Sequence, residues 1–169
     1  MNYRKQLILL LFCVTSYAAT AQESKQVTIE GKIGKPTTIT LDGLKNFKSV
    51  TIDSVVVYNH LQQRKGAVKN LRGVLLKDLL AGIEFSTSSP KLLSEFYLTC
   101  IANDNYKVVY SWNELFNTDT GNHTYVVTDY TNDAAKEVKG SLSLITTTDK
   151  ATGRRFVKGL SKIVIQQVN

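Results

Sequence analysis

Alternation of apolar and polar side chains recurs in short segments along this chain of 169 residues. Residues 27–33 alternate in this way, and residues 50–58 form a run rich in β-branched side chains. Residues 95–102 are followed, after an Asn-Asp-Asn turn, by a second apolar stretch at residues 106–110. A period of two places successive side chains on opposite faces of a strand. Further strand candidates are residues 37–41, 125–127, 141–145 and 162–168. The chain is therefore expected to fold around sheets.

Helical spacing is confined to short segments. Residues 71–83 carry four leucines on one helical face and end near a glycine, which predicts a helix. Ser111 and Glu114 have the spacing of a capping box at the start of another short helix, and Asp42 can cap a single turn. Residues 59–70 are polar and basic and predict a loop or hairpin tip. Strands with short helical insertions, and no repeat or linker, predict one α+β domain. Its predicted core includes eight apolar residues of these elements: Val57, Leu76, Leu79, Leu98, Ile101, Val108, Leu144 and Ile163.

Residues 1–21 have the pattern of a secretory signal peptide. A positively charged start precedes an apolar stretch at residues 7–14, which is too short to span a bilayer, and an Ala-Thr-Ala site follows. We therefore expect cleavage before Gln22 and export to the periplasm or the medium. The mature chain, residues 22–169, contains no apolar stretch of transmembrane length, so we expect no membrane insertion after cleavage.

Charge and metal-ligating residues exclude several classes of function. The net charge of +7 is spread along the chain, and no basic run is interleaved with aromatic residues, so nucleic acid is not predicted as a partner. His60 and His123 are far apart, and neither has a second ligand at helical or strand spacing, which argues against a metal site made of protein ligands. Signal cleavage would remove Cys13 and exclude an intramolecular disulfide. The remaining Cys100 lies in an apolar run and is predicted to be a buried small hydrophobe.

Cations cluster just before the final strand. Arg154, Arg155 and Lys158 fall within five residues, between two glycines. Guanidinium and ammonium groups on a glycine-bounded loop suit a phosphate or another oxyanion, although a solvated basic turn would have the same sequence. Asn59 and His60 follow the long strand and open the polar segment. His60 is either part of the same site or an exposed loop histidine.

Four short motifs occur in a fixed order along the chain. They are Gly…Pro…Thr-Ile-Thr-Leu…Leu at 31–44, Gly-Val-Leu-Leu-Lys-Asp-Leu-Leu at 73–80, Ala-Asn-Asp-Asn-Tyr…Ser…Glu-Leu at 102–115, and Gly-Ser-Leu…Gly-Arg-Arg…Val-Lys-Gly-Leu…Ile at 140–163. Together they resemble the molybdopterin-binding domain of the sulfite oxidase superfamily, in its small, stand-alone, exported bacterial form. The resemblance implies an α+β fold with mixed, curved β-sheets and short helices, a molybdopterin site built from loops, and oxidoreductase activity.

The last motif of that family reads roughly Gly-x-Arg-x-Val-Lys-Trp-Leu, and its basic residues lie against the pterin and its phosphate. Arg155 and Lys158 match those basic positions, whereas Gly159 replaces the bulky aromatic residue. Asn105 replaces the glycine of the usual Asp-Gly-Tyr turn. Since asparagine is the next-best residue at positive φ, we expect the turn to be preserved.

A second departure concerns the metal. Catalytic members carry a molybdenum-ligating cysteine in a Cys-x-x-Asn context at the end of the strand before the Gly-Val-x-Leu segment. Here Asn59 fits the asparagine and Val56 stands at the cysteine position. Valine has no atom that can donate to a metal. The sequence therefore predicts a protein without catalytic or metal-ligating residues, even though the resemblance implies molybdopterin as a cofactor.

Three functions remain after this comparison. The one that the sequence favours is an exported module that binds a small anion or pterin. Its predicted cofactor-binding residues, expected to converge on one concave site, are Asn59, His60, Arg154, Arg155 and Lys158. The second is a molybdenum-cofactor-dependent oxidoreductase of the sulfite oxidase type, whose metal is held by the pterin dithiolene alone or by an unexpected ligand. The third is an interaction domain without a small ligand.

Overall fold

The computed structural model describes residues 23–168. The predicted signal peptide, residues 1–21, lies outside the described residues. Within residues 23–168, no helix has both the length and the apolar character needed to cross a membrane.

Short strands dominate the described chain, and both α-helices are a little over one turn long. The strands are β1 (Gln26–Gly31), β2 (Thr37–Thr40), β3 (Val50–Tyr58), β4 (Arg64–Leu75), β5 (Phe96–Ala102), β6 (Lys107–Ser111), β7 (Thr124–Asn132), β8 (Glu137–Thr146), β9 (Val157–Lys158) and β10 (Leu160–Gln167). The α-helices are α1 (Leu76–Leu80) and α2 (Trp112–Phe116). Turns of 3-10 helix lie at Gly43–Asn46, Pro90–Glu95, Asp119–His123 and Thr152–Arg155. This mostly β architecture with short helices is consistent with the predicted α+β class.

The strands form two five-stranded sheets. The first has the order β2-β1-β10-β5-β6 and the second the order β3-β4-β7-β8-β9. β1 pairs with β10 in parallel, so the two ends of the described chain meet in the middle of the first sheet. The other strand pairs are antiparallel. The sheets are therefore mixed and antiparallel.

The main core lies between the two sheets and receives α1. Six residues predicted for the core are buried there: Leu76, Leu79, Leu98, Val108, Leu144 and Ile163. Val57 and Ile101, also predicted for the core, are only partly buried. Val57 packs instead against a smaller apolar cluster beneath β3, β4, β7 and β8.

The predicted helix at residues 71–83 is wrong in its first half. Residues up to Leu75 continue β4, and α1 begins at Leu76. Leucine-rich segments buried on both faces have no period that separates strand from helix, so the pattern misled the prediction. Gly73 shows the sheet contact directly, because a Cβ at this position would lie 2.3 Å from the carbonyl oxygen of Val126 in β7. Since β4 begins at Arg64, the predicted loop at residues 59–70 is also too long.

Three other local predictions are confirmed, and the predicted cap at Asp42 is not. The strand predicted at residues 50–58 has those bounds as β3. Ser111 caps α2, since its Oγ accepts a hydrogen bond of 3.0 Å from the Glu114 N–H. Asn105 adopts a φ of 66°, which is the left-handed conformation expected of a residue standing in for glycine. Asp42 precedes the turn at Gly43–Asn46 but makes no side-chain cap there.

Candidate functional site

The turn at Thr152–Arg155 docks onto the end of β3. The Thr152 hydroxyl donates to the Val56 carbonyl oxygen at 2.8 Å and accepts from the Tyr58 N–H at 2.9 Å. Next to it, a Cβ on Gly153 would lie 2.9 Å from the Tyr58 carbonyl oxygen, so a side chain would push the turn away from the strand. These contacts bring the predicted basic loop to the segment that contains Val56 and Asn59.

Arg155 is held by two carboxylates. Its Nε donates to Asp149 Oδ2 at 2.7 Å, its Nη2 donates to Asp149 Oδ1, and its Nη1 lies 2.5 Å from Glu114 Oε1. The guanidinium carbon also lies 4.5 Å from the centroid of the Tyr110 ring. The hydrogen bonds to Asp149, with a smaller contribution from Glu114, raise the pKa of Arg155 above its ordinary value. We call this cluster of Arg155, Asp149, Glu114 and Tyr110 the Arg155 corner.

A buried polar chain continues inward from this corner. The Tyr110 hydroxyl lies 2.8 Å from Thr146 Oγ1, which in turn lies 3.0 Å from Thr124 Oγ1. All three residues are buried, and burial raises the pKa of Tyr110. Since each hydroxyl has a partner, the chain satisfies its own polar groups and ties β6, β7 and β8 together.

The other predicted site residues have different surroundings. Arg154 is exposed; its carbonyl oxygen accepts a 2.6 Å hydrogen bond from the Tyr106 hydroxyl. Asn59 organises the turn between β3 and β4, because its Oδ1 accepts from the N–H groups of Leu61 and Gln63 at 3.0 and 2.9 Å. His60, in the same turn, is exposed. These residues all lie near the end of β3.

Lys158 lies apart from that group. It is exposed in β9, and its Nζ lies 5.1 Å from the centroid of the Phe156 ring. It lines a cavity of about 320 Å³ together with Asn103, Asp104 and Lys136. The structure thus places four of the five predicted residues around the end of β3 and the fifth in a separate cavity.

Val56 faces open space. A cavity of about 460 Å³, which we call the Val56 cavity, is lined by Val56, Tyr58, Thr147, Asp149 and Lys150, among others, and by none of the five predicted site residues. Sequence reasoning missed Asp149, Glu114 and Lys150. Asp149 could have been found from its spacing, since a carboxylate six residues before an arginine in one loop can reach it. Glu114 could not, because it comes from a distant helix.

The Cys100 thiol is buried and is not placed to bind a metal. It has no exposed surface, and it sits in β5 between Val108 of β6 and Ile163 of β10. Burial raises the pKa of its thiol to about 12. The prediction of a buried small hydrophobe is confirmed. In residues 23–168, no three His, Cys, Asp or Glu side chains are grouped so as to hold a metal ion.

Comparison with known proteins gives a likeness of fold. No known protein family matches the sequence, and no curated protein matches it. Among solved structures, the chain is similar to the sulfane dehydrogenase SoxCD from Paracoccus pantotrophus, with a TM-score of 0.58 and 15% identity. The match covers 87% of this chain and 40% of the SoxCD chain, so this chain spans less than half the length of its structural relative. At that identity the likeness concerns the fold alone.

Proposed function

We propose that this chain is an exported binding module on a molybdopterin-domain-like scaffold, which takes a small oxyanion or a pterin-type anion at the Val56 cavity. The observation that carries the proposal is that no cysteine sulfur of the described residues is available at the cavity. Val56, at the position where the resemblance expects the metal-ligating cysteine, lines the cavity. Cys100, the one cysteine in the described residues, has no exposed surface.

Two cations near the cavity are available to an anion. Lys150 lines the cavity and is exposed, and Arg154 lies in the turn whose Thr152 also lines it. The Arg154 guanidinium has no hydrogen bond or ion pair with any of residues 23–168. Hydrogen bonds between such cations and an oxyanion are stronger than neutral ones. His60 lies in the turn after β3 and does not line the cavity, so its contact with a ligand stays a prediction.

Arg155 has a different role in this proposal. Since its guanidinium is engaged by Asp149 and Glu114, a ligand phosphate would have to displace a bidentate ion pair to reach it. It therefore acts as a positioning residue, which holds the loop that carries Lys150 and Arg154. Lys158 lines a separate cavity that shares no lining residue with the Val56 cavity, so in this proposal it makes no contact with the ligand.

The residues present do not fit a thiolate-held molybdenum centre, because valine offers no donor and the Cys100 thiol is enclosed by β6 and β10. The likeness to a dehydrogenase favours a second candidate, an oxidoreductase whose metal would be held without a protein thiolate. The two candidates differ in metal content and in turnover, so they can be separated by experiment.

The test uses protein exported from a host that makes molybdenum cofactor. We expect no stoichiometric molybdenum by elemental analysis and no sulfite oxidation or sulfoxide reduction in assays with artificial redox partners. Val56→Cys is the matched variant, since it restores the missing sulfur. Stoichiometric molybdenum with turnover in the wild type would overturn the binding-module proposal in favour of the oxidoreductase.

Ligand binding is tested by calorimetric titration with inorganic phosphate and with a pterin phosphate. The double variant Lys150→Gln, Arg154→Gln should weaken binding about tenfold or more, because it removes two charge-assisted contacts. Lys48→Gln is the matched control, since Lys48 is an exposed lysine before the start of β3. Equal affinity in the double variant and the control would exclude the Val56 cavity as the site.

Export is tested separately. Protein recovered from the periplasm or medium should begin at Gln22, as read by N-terminal sequencing or by intact mass with allowance for pyroglutamate. Retention of residues 1–21 on that protein would contradict the export part of the proposal.

A further inference from the structure

A second groove lies near the start of β3 and shares no lining residue with the Val56 cavity. It consists of two adjoining cavities of about 470 and 440 Å³, which have Arg72 and Asp129 in common. We call it the Arg72 groove. Each of its two parts falls in the size range of small-molecule sites.

Arg72 and Asp129 are cross-strand neighbours that do not pair. They stand opposite each other in β4 and β7, and the register shifts on both sides of Arg72. Asn70, two residues earlier, has a φ of 54°, which marks the same irregularity. Opposite charges at directly opposed positions usually attract, but a bulge can re-aim a side chain. The Arg72 guanidinium makes no hydrogen bond or ion pair with any part of the chain that the structure describes.

Asp129 is fixed in place and still has acceptor capacity. Its Oδ2 accepts from the Thr128 hydroxyl at 2.7 Å, and its Oδ1 accepts from the Gly140 N–H at 3.3 Å. A carboxylate offers about four lone-pair sites, so roughly two remain for a ligand. Gly140 adopts a φ of 66°, a conformation that glycine permits and that brings its N–H to the carboxylate.

The other charged groups around the groove neutralise one another. Lys45 lies 2.7 Å from Asp42, and Lys139, which stands opposite Asp129 in β8, lies 2.7 Å from Glu137. Glu137 raises the pKa of Lys139, with a smaller contribution from Asp129. The groove therefore presents one unpaired guanidinium and one anchored carboxylate. An anion alone would be repelled by Asp129, and a cation alone would be repelled by Arg72.

The floor of the larger cavity is apolar. Leu44 and Val74 are each 3% exposed, and Leu41 and Phe47 complete the surface between the turn at Gly43–Asn46 and β4. A ligand that fits must therefore carry an apolar group beside its charges, because burying apolar surface against this floor removes it from water and is favourable.

We propose that the Arg72 groove binds an amino-acid-type zwitterion with an apolar side chain. The ligand carboxylate lies on the Arg72 guanidinium, the ammonium donates to the Asp129 carboxylate, and the side chain covers the floor at Leu41, Leu44 and Phe47. Both charged contacts are charge-assisted hydrogen bonds, and arginine suits a carboxylate because its fork can bind both oxygens. This site is independent of the proposed function, so either can fail without the other.

The probes are L-phenylalanine and L-leucine, titrated by calorimetry or by chemical-shift perturbation. 3-Phenylpropionate lacks the ammonium group and 2-phenylethylamine lacks the carboxylate, so each removes one of the two charged contacts. We expect saturable binding of the amino acids and binding of each single-charge analogue that is about tenfold weaker or more. Failure of both amino acids to bind, or equal binding of 3-phenylpropionate and phenylalanine, would overturn the proposal.

Variants locate the site. Arg72→Gln should weaken phenylalanine binding about tenfold or more. It should leave the fold intact, since the Arg72 side chain has no partner among residues 23–168 to lose. Lys69→Gln, an exposed neighbour in β4 that lines neither cavity, is the matched control and should bind normally. Asp129→Asn should weaken amino-acid binding but not that of 3-phenylpropionate. Equal affinity for phenylalanine in Arg72→Gln and Lys69→Gln would refute the site.

Discussion

Arg155 and Arg72 each stand near a carboxylate at the rim of a cavity, but only Arg155 is paired. In the Arg155 corner, the loop before the guanidinium supplies Asp149 and helix α2 supplies Glu114. In the Arg72 groove, the Arg72 guanidinium has no hydrogen bond or ion pair in the described chain, although Asp129 is its cross-strand neighbour where the register of β4 shifts. Both regions contain an arginine and a nearby carboxylate, but they differ in whether the guanidinium forms an ion pair within the described chain.

The difference shows what makes an arginine available to a ligand. A cluster of basic residues in the sequence drew attention to Arg155, yet the fold uses that residue to close a loop. Arg72 lies at the start of a leucine-rich segment, three residues after a single lysine, Lys69, and its guanidinium has no hydrogen bond or ion pair with residues 23–168. Availability depends on which carboxylates the tertiary structure delivers, rather than on the local density of positive charge.

A variant in the core should give the largest loss of stability, and the variants in the two regions can be compared with it. Leu79→Ala should lower the free energy of unfolding by about 2–5 kcal/mol, because the side chain is 2% exposed and its removal leaves a cavity. Denaturant melts measure this loss. A change below about 0.5 kcal/mol would mean that α1 does not pack as the structure has it.

Arg155→Gln should lower the free energy of unfolding by about 1–3 kcal/mol, since it leaves Asp149 and Glu114 without their cation in a partly buried setting. Arg155→Lys should restore little of this loss, because an ammonium cannot reproduce the two-pronged contact. Urea melts of the two variants and the wild type test both statements.

The adjacent Arg154→Gln is the control, and it should change stability by no more than about 0.5 kcal/mol, because Arg154 is exposed. If Arg154→Gln and Arg155→Gln were equally destabilising, the ion pairs of the Arg155 corner would not be what distinguishes the two residues.

The free energy of unfolding should decrease at high pH, because the core next to the Arg155 corner contains the buried thiol of Cys100. Burial raises the pKa of Cys100 from its ordinary value of 9.0 to about 12. A thiol whose pKa is raised in the folded state gives stability that is complete below its unfolded pKa and is lost as pH rises. Above pH 9 the unfolded chain ionises first, so the stability from this group should fall with a slope that approaches about 1.4 kcal/mol per pH unit.

Cys100→Ala removes that contribution and should flatten the decline measured by denaturant melts between about pH 9 and pH 10. Iodoacetamide should also fail to label Cys100 in the native protein at pH 8.5 and label it readily in urea. Rapid native labelling would show that the corner and the strand behind it open more easily than their burial indicates.

The smallest expected effect falls on the open region. Arg72→Gln should change the free energy of unfolding by no more than about 0.5 kcal/mol in the absence of ligand, because its guanidinium has no hydrogen bond or ion pair with residues 23–168 to lose. A loss comparable to that of Arg155→Gln would mean that Arg72 is paired within the protein in solution, and the comparison between the two regions would collapse.

Much of the strand pattern was readable from the sequence, for local reasons. The β-branched run at β3, the capping serine of α2 and the left-handed asparagine at position 105 each follow from preferences of single residues or of a two-residue period. The burial of Cys100 followed from its place in an apolar strand. The boundary between β4 and α1 did not follow, because a leucine-rich segment buried on both faces has no period to read.

The candidate sites were harder to predict than the strands. The sequence predicted that Asn59, His60, Arg154, Arg155 and Lys158 converge on one site, and the docking of Thr152 on β3 brings the segments of the first four to one end of the strand. It gave no sign that Lys158 would line another cavity, or that Arg72 and Asp129 would face a groove.

The sequence by itself determined the alternation that makes sheets, the absence of sulfur at position 56, and the positions of the basic residues along the chain. Tertiary structure alone decided which of those cations are neutralised. Glu114 reaches Arg155 across 41 positions of sequence, whereas Asp129 forms no ion pair with Arg72 although the two are opposed across a single pair of strands, where the register shifts. Charge pairing depends on distances of a few ångströms between side chains, and such distances are set by packing and strand register, not by the order of residues.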